Sequence, residues 1–309
     1  MTVGVHDPSL EVVRFGNGPR VSGRMPRWVI AWRTTDVPLR FHGAPWASSG
    51  AGRGWVGRGT FRLMSLDHLS LLARFQDDFL AAVPDADPAA RVPACGDWTV
   101  RELVEHLAEV HHWAAGQARA KRGAPLGDGP FDLAPHYAAQ AAELRATLAE
   151  LDPDATGRVL AHPKPMGPGP VRFWHRRQTH ETLIHLHDLL AASVGTASLS
   201  LVKAEPEVWA DNVDEVITVL QPRQVGLGRM EPLRSPVAFV ATDVAGPRTW
   251  VLGAPGERAE EVAPDVVVSG PAEGIALTLW RRLTPAEAGL TVEGDRADLE
   301  AALEQAIVP

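Results

Sequence analysis

From Met64 onward, apolar residues recur at helical spacing along much of the chain. Leu66, Leu69, Leu72, Phe75, Phe79 and Leu80 fall on one face and predict a first helix from Ser65 to Val83, ended by Pro84. Thr99 and Glu102 have the spacing of a capping box, and Leu103, Leu107 and Val110 carry that second helix toward Ala120. A third helix is expected over about Asp132 to Leu151. The fourth, about Val171 to Ala192, follows a Pro- and Gly-rich connection at His162 to Pro170. Four helices of this length suit a bundle whose interior can host a ligand site.

Beyond a short linker the texture changes. Glu205 to Leu220 is again helical in pattern, whereas Pro236 to Asp243, Thr249 to Leu252, Asp265 to Ser269 and Leu290 to Glu293 have the composition of strands. Helices are expected at Pro271 to Leu283 and Ala297 to Ile307. The fold class is therefore mainly α with a smaller α+β domain, divided as a bundle over 64–195 and an α+β domain over 205–309.

Residues 1–63 are different material. They scatter Gly, Pro, Ser and the tryptophans Trp28, Trp32, Trp46 and Trp55 without a helical or strand period. They hold nine Arg, no Lys and three acids, so that with a net charge of −8 for the whole chain the remainder carries about −14. This segment is either a basic interaction tail or an upstream extension with Met64 as the true start. On both readings it is expected to be a disordered extension, so a chain beginning at Met64 should fold alone.

Composition narrows the function. The negative net charge argues against a nucleic-acid surface. No apolar run is long enough to span a bilayer and no secretory signal opens the chain, so a cytoplasmic protein without a membrane partner is expected. Its single cysteine, Cys95, excludes an internal disulfide and any Cys-rich zinc finger, and its own expected place is as a small buried hydrophobe. A metal would need His and carboxylate ligands.

Seven of the twelve histidines (His106, His111, His112, His175, His180, His185 and His187) lie on the second and fourth predicted helices. Residues four apart share a helix face, which joins Glu181 to His185, with Asp188 continuing the stripe. His180 and His187 point elsewhere. His180 and His185 are five apart, so the metalloprotease motif with two His four apart does not apply. His106 shares the apolar side of Leu103, Leu107 and Val110 and is expected to point inward. On spacing alone it fits a core histidine as well as a ligand, and the Glu181/His185 pair fits an exposed contact. His111 and His112 are expected at the surface, one of them at most bordering a pocket mouth. If the three converge, they give three protein ligands and an open position, as in catalytic zinc sites.

The stretch Val92 to Leu107, with Cys95, Gly96, Trp98-Thr-Val, Leu103 and His106-Leu, resembles a segment of the mycothiol-dependent maleylpyruvate isomerase family. Trp174 to Asp188, with Glu181 and His185 four apart, resembles the family's second ligand helix. Val213 to Val216, Pro222 to Val225, Thr242-Asp243, Gly270-Pro-Ala and Leu279-Trp280 are similar to landmarks of its C-terminal domain. The likeness covers about 65 to 305. Gly96-Asp97-Trp98 departs from the more usual Pro-Gly-Trp and alters the loop before the second helix.

This resemblance implies a DinB-like metal-binding bundle followed by a sterol-carrier-like α+β domain. It also implies His106, Glu181 and His185 as ligands of a divalent metal, zinc, with mycothiol as thiol cosubstrate. The implied activity is cis-trans isomerisation of maleylpyruvate or a similar electrophile: thiolate adds to the double bond, the new single bond rotates, and elimination follows. Arg223, Arg229 and Arg248 are candidates to bind a dicarboxylate, each equally readable as a solvated surface Arg. A mycothiol S-transferase and a non-catalytic metal- or ligand-binding protein remain alternatives, and a monomer and a homodimer are both open.

Overall fold

The computed structural model describes residues 66–121, 123–160, 164–233, 235–246, 248–253 and 263–309. The expectation for residues 1–63 lies outside them.

The helical part consists of α1 (His68–Ala82), α2 (Val100–Ala118), α3 (Leu133–Glu150) and α4 (Arg172–Val194). Local chemistry sets their ends. The Asp67 carboxylate accepts from the Ser70 amide at 3.1 Å and starts α1. Thr99 and Glu102 form the reciprocal capping box that starts α2, the Thr99 amide donating to Glu102 Oε2 at 2.7 Å. Gly195 closes α4 at φ +81°, a left-handed conformation that a side chain would strain. Leu72, Phe75 and Phe79 of α1, Leu103 and Leu107 of α2 and Leu144 and Leu148 of α3 are fully buried and form the bundle core.

Helix α4 is the centre of the molecule. Sixteen of its 23 residues are buried, Arg177, Gln178, His180, His185, His187 and Asp188 among them. A helix buried on all sides cannot show the apolar stripe of a surface helix. Its polar residues must therefore find partners inside the protein.

Between α3 and α4 the chain forms a hairpin, β1 (Thr156–Leu160) paired antiparallel with β2 (Met166–Pro170), in part of what composition suggested to be a loop. Trp174 Nε1 donates to Arg158 O at 2.8 Å and anchors the first turn of α4 to this hairpin. Gly169 is required there, because an added Cβ would lie 2.5 Å from a Val159 methyl.

The C-terminal part opens with α5 (Pro206–Glu215), which continues through one π-helical turn at Val216–Leu220 into α6 (Gln221–Gly226). A single helix over Glu205 to Leu220 was expected, and the wider turn is the difference. Four strands follow, β3 (Val237–Ala241), β4 (Arg248–Leu252), β5 (Val266–Gly270) and β6 (Thr291–Gly294), with α7 (Ala272–Leu279) and α8 (Arg296–Leu303). They form one sheet in the order β4-β3-β5-β6, with β3 and β5 parallel and both edge pairs antiparallel. The observed class is thus helical with a small α+β part, as expected. Helices α5 and α7 pack together, and Trp250 and Trp280 donate to Asp214 (3.0 Å) and Asn212 (2.8 Å) of α5.

Candidate metal centre

His106 reaches from α2 toward α4, where Glu181 and His185 lie one turn apart. Glu181 Oε1 is 3.4 Å from His185 Nε2 and 3.9 Å from His106 Nε2, and the ligand atoms of all three lie within 4.8 Å of one another. Zinc bonds of 2.0–2.2 Å in a tetrahedron place ligand atoms about 3.4 Å apart. The Glu181–His185 separation matches that figure, and His106 would move inward by about half an ångström to match it from Glu181. Two imidazoles and a carboxylate are donors of the right type for a first-row divalent metal. His185 is buried and Glu181 nearly so, whereas 29% of the His106 side chain is exposed, so the trio opens outward on the His106 side. The Trp98 ring flanks His106 with centroids 4.8 Å apart.

A second set of residues holds these ligands. Arg177, one turn before Glu181, bonds Glu181 Oε2 and Glu215 Oε2, which leaves Glu181 Oε1 to face the imidazoles. Burial works against the Glu181 charge, but Arg177 and the neighbouring imidazoles of His106 and His185 keep its carboxyl well below the usual range. His185 Nδ1 lies 3.0 Å from Asp188 Oδ2. Asp188 in turn takes Arg282 Nε at 2.8 Å and Nη2 at 2.6 Å. With Nδ1 donating to Asp188, Nε2 is the nitrogen left to face Glu181, and on losing its proton it would present its lone pair to a metal, the arrangement that orients a metal-bound imidazole. Burial opposes a charge on His185, yet Asp188 and Glu181 raise its pKa to about 9.

Cys95 is half-buried, packed against the core with Sγ 3.4 Å from Asp188 Oδ2 and 3.6 Å from Arg282 Nη2. Burial, then the Asp188 charge, push its pKa up to about 12, so it is a thiol rather than a nucleophilic thiolate. His111, expected at the surface, is fully buried. Its Nδ1 meets Gln178 Oε1 at 2.9 Å and its ring lies beside Tyr137, because α3 covers the face of α2 that its position implied was open. His112 takes the outward position and pairs with Glu143.

The structure places the three candidate arginines elsewhere. Arg223 is buried and donates to Pro165 O at 3.3 Å, Arg229 is exposed, and the Arg248 guanidinium lies 5.4 Å from the Trp250 ring centre. Among the described residues none of them bonds to the ligand trio. The guanidiniums built into the centre are Arg177 and Arg282. Arg177 was within reach of sequence reasoning, four residues before Glu181. Arg282, 94 residues from Asp188, carried no such signal.

Residues 69–190 match the family described as "Mycothiol maleylpyruvate isomerase N-terminal domain", and residues 207–301 match its companion, "MDMPI C-terminal domain". The chain belongs to the mycothiol maleylpyruvate isomerase family. Among solved structures, a His-to-Ala variant of the mycothiol-dependent maleylpyruvate isomerase is 15% identical, with a TM-score of 0.50 over 73% of this chain and 91% of that one. Another structure of such an isomerase is 17% identical, with a TM-score of 0.46 over 68% and 86%. At this identity the first supports the fold alone. No curated protein matches the chain. Both domains of the isomerase family thus meet at the centre, the N-terminal one bringing His106, Glu181 and His185 and the C-terminal one bringing Arg282 and Glu215.

Proposed function

We propose that this chain is a zinc- and mycothiol-dependent isomerase that acts on maleylpyruvate or a closely similar electrophile. The convergence of His106, Glu181 and His185, with one side facing outward, carries this reading; membership of the isomerase family supports the reaction class. His106 Nε2, Glu181 Oε1 and His185 Nε2 would hold the metal. When bound there, a zinc ion would lower the pKa of a thiol enough to give thiolate at neutral pH, the species able to add reversibly to a cis double bond.

The chain's own residues prepare that chemistry. Asp188 fixes the His185 tautomer, and Arg282 keeps Asp188 ionised. Arg177 occupies the second oxygen of Glu181, so that carboxylate presents one oxygen rather than two. Trp98 forms an apolar wall beside His106 that keeps bulk water from one flank. Arg282 is committed to the support of Asp188, with Nε and Nη2 bonded to that carboxylate and Nη1 to the Trp280 carbonyl, so the cation that a dicarboxylate substrate and its enolate need comes from another residue.

Elemental analysis of the purified chain tests the reading. About one zinc should be lost from this centre in both His106→Ala and Glu181→Ala, along with turnover of maleylpyruvate in the presence of mycothiol. A wild type that converts maleylpyruvate equally well without added thiol would refute it. Turnover of halogenated electrophiles but not maleylpyruvate would move the assignment to a mycothiol S-transferase.

A further inference from the structure

Helix α4 takes part in a second convergence, through His180, the residue that precedes Glu181. His180 of α4, His68 at the start of α1 and Asp211 of α5 bring their ligand atoms within 4.8 Å of one another. Asp211 Oδ2 is 2.8 Å from His68 Nε2 and 3.1 Å from His180 Nε2. His180 is wholly buried, and its Nε2 stands 3.1 Å from Asp211 Oδ2 in ion-pair contact without the alignment of a hydrogen bond. A buried imidazole nitrogen that points past its neighbour needs an explanation.

The construction repeats that of the centre already described. There Arg177 braces Glu181; here Arg176, the preceding residue, braces Asp211, with Nε 3.1 Å from Oδ2 and Nη2 2.9 Å from Oδ1. There His185 Nδ1 is committed to Asp188; here His180 Nδ1 is committed to Glu215 Oε2 at 2.9 Å. In both cases the Nδ1 partner leaves Nε2 facing the second imidazole and the carboxylate, the outer-sphere pattern of metal-binding histidines. Three carboxylates, Asp211, Asp214 and Glu215, surround the cluster against Arg176 and Arg177, and Arg177 is shared with Glu181. With both imidazoles neutral, the cluster has one carboxylate more than it has arginines. A cavity of about 490 Å³, lined by Asp67, His68, His175 and Arg176, borders the cluster on the His68 side.

We propose that His68, His180 and Asp211 form a second site for a divalent transition metal of the zinc class, distinct from the His106 centre and holding α1, α4 and α5 together. Two imidazoles and one carboxylate suit such an ion, and the carboxylate distances need to open by only a few tenths of an ångström to reach the roughly 3.4 Å edge of a zinc tetrahedron. The competing occupant is a proton shared between His180 and Asp211.

Zinc titration of the metal-stripped full-length chain against a chromophoric chelator separates the two. Wild type should take up two equivalents, His106→Ala one, His68→Ala one, and the double variant none. His68 is part-exposed at a helix start, so its removal is expected to leave the circular dichroism unchanged. Zinc should also raise the Tm of His106→Ala by several degrees and leave that of the double variant unmoved. One equivalent retained by His106→Ala and lost on adding His68→Ala supports the second site even if wild type binds nothing at the His106 centre. His106→Ala that takes up no zinc and shows no Tm shift overturns it, whatever the fate of the isomerase reading.

Discussion

Asp188 is the residue on which the candidate metal centre turns. It is buried, and the burial that opposes its charge is outweighed by Arg282 and by the histidines on either side, which keep its carboxyl well below the usual range. Asp188→Asn preserves the shape and removes the charge that fixes His185. Zinc affinity is expected to fall about 10–100-fold, the usual cost of losing such an orienting group, measured by chelator competition. Unchanged affinity would mean that His185 needs no orientation from this carboxylate. The same local chemistry explains what the sequence could and could not reveal here. Glu181 and His185 were legible because four residues make one helical turn. Arg282 was not, because nothing local links it to a carboxylate 94 positions earlier. His111 was misplaced because its burial depends on α3, and the pattern of α2 alone does not say where α3 lies.

The start of α2 depends on the Thr99 and Glu102 cap, an element-scale feature read directly from spacing. Thr99→Ala should cost about 1 kcal/mol in urea unfolding, while zinc stoichiometry stays the same because His106 lies two turns further along. A loss well under that, with bound zinc also reduced, would show that the cap positions the ligand instead of merely starting the helix. Other elements hid from pattern. The β2 segment, Met-Gly-Pro-Gly-Pro, has the composition of a loop, yet it pairs as a strand, with Gly169 leaving room for the Val159 side chain of β1. The π-helical turn after α5 left no mark on the apolar spacing from which Glu205 to Leu220 was taken as one helix.

At the scale of the molecule, buried charge ties the two parts together. Burial opposes ionisation of Glu215, yet Arg177 and His180 lower its pKa to about 2 from an ordinary 4.5. A carboxylate with a depressed folded-state pKa contributes stability that is complete above about 4.5 and is lost as pH falls through about 2. The urea midpoint should therefore drop between pH 5 and pH 2, and Glu215→Gln should be less stable at pH 6 with a shallower drop. Equal slopes in the two proteins would remove Glu215 from the account of acid unfolding. The architecture at this scale was legible in outline, since the helical and mixed halves differ in their repeat. Their connection was not, because it consists of ion pairs such as Arg177 with Glu215 and Arg176 with Asp211, which no periodicity announces.

Helix α4 has no outer face, and this bears on how such a chain can change over time. An ordinary surface helix can accept new residues along its wet side without penalty and so drift freely. Here most positions are filled by a core side chain, a possible ligand or the partner of one, and nearly every substitution would need a second, matching change on another element. Novelty in this architecture therefore enters through the exposed positions of other elements, those of α3 above all, which can be altered one residue at a time around a helix that stays as it is.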